Sequence, residues 1–282
     1  MTYTLKYINA LGKEIEFSMS SGFVIAEATG LTSNSIETYK SQGNNQVGAV
    51  LLGQSVQPRT INIQGTIFGK SLLGRRKLLE TIAPEIPAKL IFNDMWQIDV
   101  YPIMTPDIAR SLENTAFAFA LEATFPYWQS VEETMTLLSG IQAMFKFPWN
   151  LTLPWKFGIN KETFFTNVYN EGNVATNFDL VFYANTEVDN PKVTKVDTLE
   201  FIAFNHHMVA GETVILSMSS NSLLATSIID GVETDIFSDL DYDNTYFLLE
   251  IGDNVLRHDA DYNREGLDCK IYHRTTTVGA YI

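Results

Sequence analysis

Four carboxylates in the stretch SDLDYDNTYFLLE, at Asp239, Asp241, Asp243 and Glu250, stand at positions one, three, five and twelve of a calcium-binding EF-hand loop. Position six of such a loop needs Gly for a sharp turn, and here it is Asn244, which tolerates positive φ better than most residues. The flanks argue more strongly against the metal. Upstream, SIIDGVETDIF sets Asp230-Gly231 between two apolar runs, a tight-hairpin signal; downstream, TYFLLEIGDN reads as a buried strand closed by a turn at Gly252, Asp253 and Asn254. The sequence therefore predicts an acidic turn between strands that needs no calcium to fold, with a looser cation site there as the alternative.

The other reactive groups point the same way. His206 and His207 are adjacent, so a strand would turn them to opposite faces, and FNHHMVAGE reads as a surface turn closed by Gly211 rather than a zinc site. Cys269 sits among apolar neighbours in an apparent strand and reads as a buried, inert thiol. No nucleophile elbow, phosphate loop or dinucleotide fingerprint is present, so neither an enzyme nor a cofactor is expected. Trp149, Trp155, Tyr242, Tyr246 and Tyr262 would stack on a sugar ring if exposed, but core and domain-packing roles are expected for them.

The elements that hold these residues are mainly strands. Apolar residues alternate with polar ones in KEIEFSM, in RTINIQGTI and most clearly in AFAFALEATF, where Phe117, Phe119, Leu121, Ala123 and Phe125 share one face. The exception is SLLGRRKLLETIAP, which predicts a helix from a Ser71 cap to Pro84, with Leu72, Leu78, Leu79, Ile82 and Ala83 laid on a sheet. The aromatic connector FKFPWNLTLPWKFG, stiffened by Pro148 and Pro154, divides the chain. The expected organisation is an N-terminal β domain with one amphipathic helix at 1–130, a connector at 131–159 and a β-sandwich or jelly roll at 160–282.

Of 282 residues, 45% are hydrophobic and one is cysteine, which excludes an internal disulfide framework. The start MTYTLKYINALGKEIEF has no signal-like pattern, and no apolar run approaches a membrane span, so a soluble protein made in a cytoplasm is expected. The net charge of −14 is uneven: residues 1–130 carry 10 Lys+Arg against 11 Asp+Glu, residues 131–282 carry 9 against 22. The second half should repel phosphate backbones, and no specific nucleic-acid binding is expected.

Between Thr38 and Pro58, YKSQGNNQVGAVLLGQSVQ packs Gly, Asn and Gln around a short apolar centre. It reads either as a plain loop or as a hairpin arm that orders against a neighbour. On the second reading Tyr39, Gln42, Asn44, Gln46, Val47, Val50, Leu51 and Leu52 are the candidate oligomer-interface residues.

The order QPRTINIQGTIFGKSLLGRRKLLETIAP, then PAKLIFNDMWQIDVYPIMTP, then AFAFALEATFPYWQS with its aromatic close Phe125, Pro126, Tyr127 and Trp128, resembles the N-terminal domain of the siphophage distal tail protein family. NEGNVATNFDLVFYA, NPKV and LLEIGDNVL are similar to the family's C-terminal sandwich. The resemblance implies a structural, non-enzymatic virion component of the phage tail tip, made in the host bacterial cytoplasm. It also implies a six-subunit ring of N-terminal domains joining the tail tube protein to a tail-associated hub or lysin protein. The galectin-like sandwiches would project outward and contact a receptor-binding protein or host carbohydrate. The competing functions are a carbohydrate-binding adhesion module and, more distantly, a glycosidase using two of the abundant carboxylates.

Overall fold

The structure, a computed structural model, describes residues 3–69, 71–109, 114–138, 140–143, 158–161, 165–219 and 222–281. The chain forms two compact units, Met1–Glu132 with Thr276–Ile282, and Glu133–Thr275. Residues 144–157, which hold Trp149, Trp155 and most of the aromatic connector, lie outside the described residues.

In the first unit the alternating segments pair as their patterns demand. Seven strands run in the order Glu14–Phe17, Leu5–Asn9, Ala88–Phe92, Trp96–Ile108, Thr115–Ala123, Arg59–Ile67, Phe23–Thr29. An isolated bridge between Ser18 and Phe23 links the two end strands where the chain turns from one to the other, so the sheet curls into a barrel-like form. Trp96–Ile108 serves both halves of the barrel: its register slips on either side of Met104, just after Pro102, which has no amide to donate. The interior holds the inward residues of every strand, among them Leu5, Tyr7, Phe17, Ile61, Ile63, Phe119 and Leu121.

The helix Ser71–Thr81 is present but is turned differently from the expected arc. Leu78 and Ile82 are buried, whereas Leu72 and Leu79 are exposed. The contact face centres on Gly74, where an added Cβ would lie 2.6 Å from Ile67 Cγ2. The glycine that lowers helix propensity is therefore what lets the helix approach the barrel.

The second unit is a β-sandwich. A six-stranded sheet runs Thr134–Leu137, Leu267–His273, Phe178–Ala184, Thr213–Ser219, Ser222–Ile229, Val232–Asp235. Facing it, Thr166–Asn170, Gly252–Tyr262, Val188–Lys195 and Phe201–Ala203 form a second sheet, with His207–Met208 paired to Val188–Lys195. Leu180 and Phe182 from the first sheet and Val168, Val193 and Leu256 from the second share one core. Cys269 lies in that core, and burial pushes its thiol well above the ordinary range, so it is not a nucleophile.

The acidic stretch differs from expectation in one respect. Asp230-Gly231 does make a tight hairpin, with φ of 50° and 78°. TYFLLE, however, is not a regular strand: Thr245 donates to Phe201 and Leu249 forms one isolated bridge with Thr176, while the true strand begins at Gly252, read above as a turn. The stretch opens on the 3-10 turn Phe237–Asp239 with no α-helix on either side among the described residues, and its side chains are engaged locally. Asp239 bonds the His206 ring, Asp241 Oδ1 accepts from the Asp243 amide, and the Asn244 side chain clasps both backbone groups of Ala203. Tyr242, Tyr246 and Tyr262 are exposed rather than packed in the core.

Candidate functional site

The segment read as loop or arm is a hairpin. Ile36–Ser41 and Val50–Val56 pair only with each other among the described residues, and the hairpin starts at Ile36, ahead of the segment read above, because IETYKS, which lacks an apolar alternation, is its first strand. The register slips between Tyr39 and Lys40, leaving Leu52 as the extra residue of a bulge, and the Tyr39 ring lies over Gly53. At the tip, Gln42 Nε2 donates to the Gln46 carbonyl, and Gly43 N donates to Gln46 Oε1, with Asn45 and Gly48 at positive φ.

All eight candidate residues fall on this hairpin. Tyr39 lies in the first strand, Gln42, Asn44, Gln46 and Val47 lie in the tip, and Val50, Leu51 and Leu52 lie in the second strand. Ile36, Tyr39, Val47, Val50, Leu51, Leu52 and Val56 are all exposed, and the only charges between residues 36 and 56 are Glu37 and Lys40. A two-stranded ribbon has no interior in which to bury such side chains and is marginal alone. An arm apolar on both faces gains stability only when another surface covers it.

The base of the arm is tied by Arg59, just after its second strand and 2% exposed. Its guanidinium donates to the carbonyls of Gly30 and Ser33, in the stem before the first strand, and to those of Pro126 and Val278. Trp128 Nε1 adds a bond to Leu31 O, and Gly30, at φ +83°, admits no Cβ because Thr60 O would lie 2.1 Å from it. Burial lowers the Arg59 pKa to about 10, which leaves it charged at neutral pH. No local periodicity reveals this anchor; its four acceptors come from three distant parts of the chain.

A second group of polar side chains lies in the sandwich. Glu212 is 1% exposed and its Oε1 meets His206 Nε2 at 2.7 Å and the Ser227 hydroxyl at 2.5 Å, while Oε2 accepts from Val209 N. Burial raises the Glu212 pKa, but the Ser227, His206 and Val209 bonds outweigh it and hold the carboxyl below its usual range. His258 and His273 are pushed down, in both cases chiefly by burial. The signs agree. Unfolding lets both histidines take up protons below about pH 6.5, and lets Glu212 do so near pH 4.5 and below. Folded stability of the second unit should therefore be fully present above pH 7, fall between pH 6.5 and the lowered histidine values, and fall again as pH drops through the folded pKa of Glu212. The exposed His207–Asp189 pair has the opposite sign, since Asp189 raises the His207 pKa, but solvent screens it. Amide exchange over residues 165–275 at pH 7.5, 5.5 and 4 measures this; His273→Leu should flatten the first step.

Two family models match the chain: "Phage tail protein RIFT-related domain" over residues 11–116 and "Siphovirus-type tail component, C-terminal domain" over residues 171–275. Among solved structures, the chain is similar to the Dit (gp 19.1) protein of phage SPP1, described as a paradigm of the hub adsorption apparatus in phages infecting Gram-positive hosts. The TM-score is 0.69 at 13% identity, covering 96% of this chain and 98% of that one. A chain of the phage P2 baseplate in its activated conformation with Ca matches with TM-score 0.56 at 11% identity, over the same shares of the two chains. No curated protein sequence matches.

Proposed function

Because the chain belongs to the siphophage distal tail protein family, structural components of the phage tail and baseplate hub, we infer that its first unit assembles with copies of itself into a six-subunit ring at the tail tip. The ring joins the tail tube protein to a tail-associated hub or lysin protein, and the protein acts in the virion as a structural part without enzymatic activity. The observation that carries this reading is the arm: a hairpin hydrogen-bonded at its root, with apolar side chains on both faces. A closed ring needs two different, complementary surfaces per subunit, and a projecting arm laid on the next subunit supplies one of them.

Electron microscopy of the protein mixed with its hub partner tests the proposal. Sixfold particles with the arm buried against a neighbour are expected, and the double variant Val50→Asp, Leu52→Asp should fold normally yet give no rings. Any other stoichiometry around the axis, or an arm free of contacts, would overturn it. Because the ring can close only on the hub, a monomer in dilute solution fits the reading.

A further inference from the structure

Val232–Asp235 is the last strand of the six-stranded sheet, and all four of its residues are exposed. The two-residue turn Asp230-Gly231 makes Ile229 and Val232 exchange both backbone hydrogen bonds, and the antiparallel alternation then repeats at Ser227 and Thr234. The amides and carbonyls of Glu233 and Asp235 consequently point away from the hairpin. The strand has no Pro and no bulge to block pairing, and its guard is the two carboxylates of Val-Glu-Thr-Asp, which deter an acidic or neutral strand but not a basic one.

Beside the edge lies a cavity of about 540 Å³ bounded by Leu224, Thr226, Glu233, Asp235 and Phe237. The register puts Thr226, Glu233 and Asp235 on one face of the hairpin, and Leu224 and Phe237, beyond the paired residues, are 59% and 50% exposed. The stretch that holds them carries one sign of charge: residues 196–256 contain eleven Asp and Glu and no Lys or Arg.

We propose that this edge takes up an extended basic segment of a partner polypeptide by strand addition. Lys or Arg side chains of the incoming strand lie opposite Glu233 and Asp235, and an apolar side chain farther along fills the cavity between Leu224 and Phe237. Backbone bonds to Glu233 and Asp235 give the affinity, and the carboxylates and cavity select the sequence. The same carboxylates repel a second copy of this acidic edge, so the site discriminates against pairing with itself. Nucleic acid is disfavoured by the same charge.

The test uses the full chain and three synthetic nine-residue peptides: one alternating Lys with Val and ending in Phe, its Glu-for-Lys counterpart, and a scrambled peptide of the first composition. Calorimetric titration should show the alternating basic peptide binding at least about tenfold tighter than either other, with weakening at high salt. It should also protect the amides of residues 232–237 from exchange. Glu233→Gln removes only a charge, whereas Glu233→Pro also removes an amide the hairpin does not use, so E233P should weaken binding about tenfold beyond E233Q. Phe237→Ala should weaken it about fivefold through the lost apolar contact. Equal effects of E233P and E233Q, equal binding of the scrambled peptide, or no protection at residues 232–237 in the unaltered protein would overturn the proposal. The protection result decides it even if E233P fails to fold.

Discussion

Replacing Arg59 with Met lowers the stability of the first unit by about 4 kcal/mol, a fall of roughly 15 °C in its melting temperature. Four carbonyls, those of Gly30, Ser33, Pro126 and Val278, are satisfied by this one buried guanidinium. Met fills the space of the aliphatic stem but donates nothing, and each buried acceptor left bare costs about 1–3 kcal/mol. The full sum overstates the loss, because the variant also escapes the cost of burying a cation that has only carbonyl dipoles around it. Arg59→Lys keeps the charge but cannot fork to four acceptors, and should lose about half as much. Denaturant melts followed by Trp96 and Trp128 emission measure both. A loss below about 1 kcal/mol for Arg59→Met would refute the anchor's role.

Removing residues 276–282 has a larger effect still: the first unit no longer folds on its own. The segment supplies a strand partner to Trp128–Ser130, an acceptor to Arg59, the Ala280 amide to Leu31 O, and the Tyr281 carbonyl to Trp96 Nε1. The Tyr281 ring also lies tilted against that of Trp96, their centroids 4.9 Å apart. Losses of this kind add to roughly 5 kcal/mol or more, which equals the whole stability of many domains. Gly279→Ala should move in the same direction by less, since its Cβ would lie 2.4 Å from Thr32 O. Near-ultraviolet circular dichroism separates the outcomes. A native Trp signal in the truncated protein would show that the segment is dispensable, and recovery of the signal on adding a peptide of residues 276–282 would show that it acts by docking.

Much of this architecture can be read from the chain and part of it cannot, for identifiable reasons. Arg59–Ile67 and Thr115–Ala123 declare themselves because each buries one face, and period-two alternation follows directly from that. The arm is visible as an apolar centre inside a Gly, Asn and Gln frame, but Ile36–Ser41 is not, because a strand exposed on both faces imposes no pattern. The helix is legible while its rotation is not, since Gly74 marks a close approach that only Ile67 explains. TYFLLE has strand composition without strand pairing, because Phe247 and Leu249 reach the core from an irregular backbone. The return of Thr276–Ile282 to the first unit leaves no local trace; the register of Trp128 with Thr277 joins residues far apart in the chain, and nothing in TTTVGAYI announces it. Arg59 belongs to the same class, being an ordinary strand residue in sequence and a junction of distant segments in space.

The pairing of Gln129 with Thr276 also orders events in time. A ribosome delivers the barrel's strands first and the whole sandwich next, and only then the residues that complete the barrel and supply Arg59 with its last acceptor. Chains still being translated thus hold an arm whose root is incompletely tied, whatever the state of their other strands. The root of the arm is therefore completed by residues that follow the whole second unit in the chain, and the first unit cannot reach its final packing until that unit has been made.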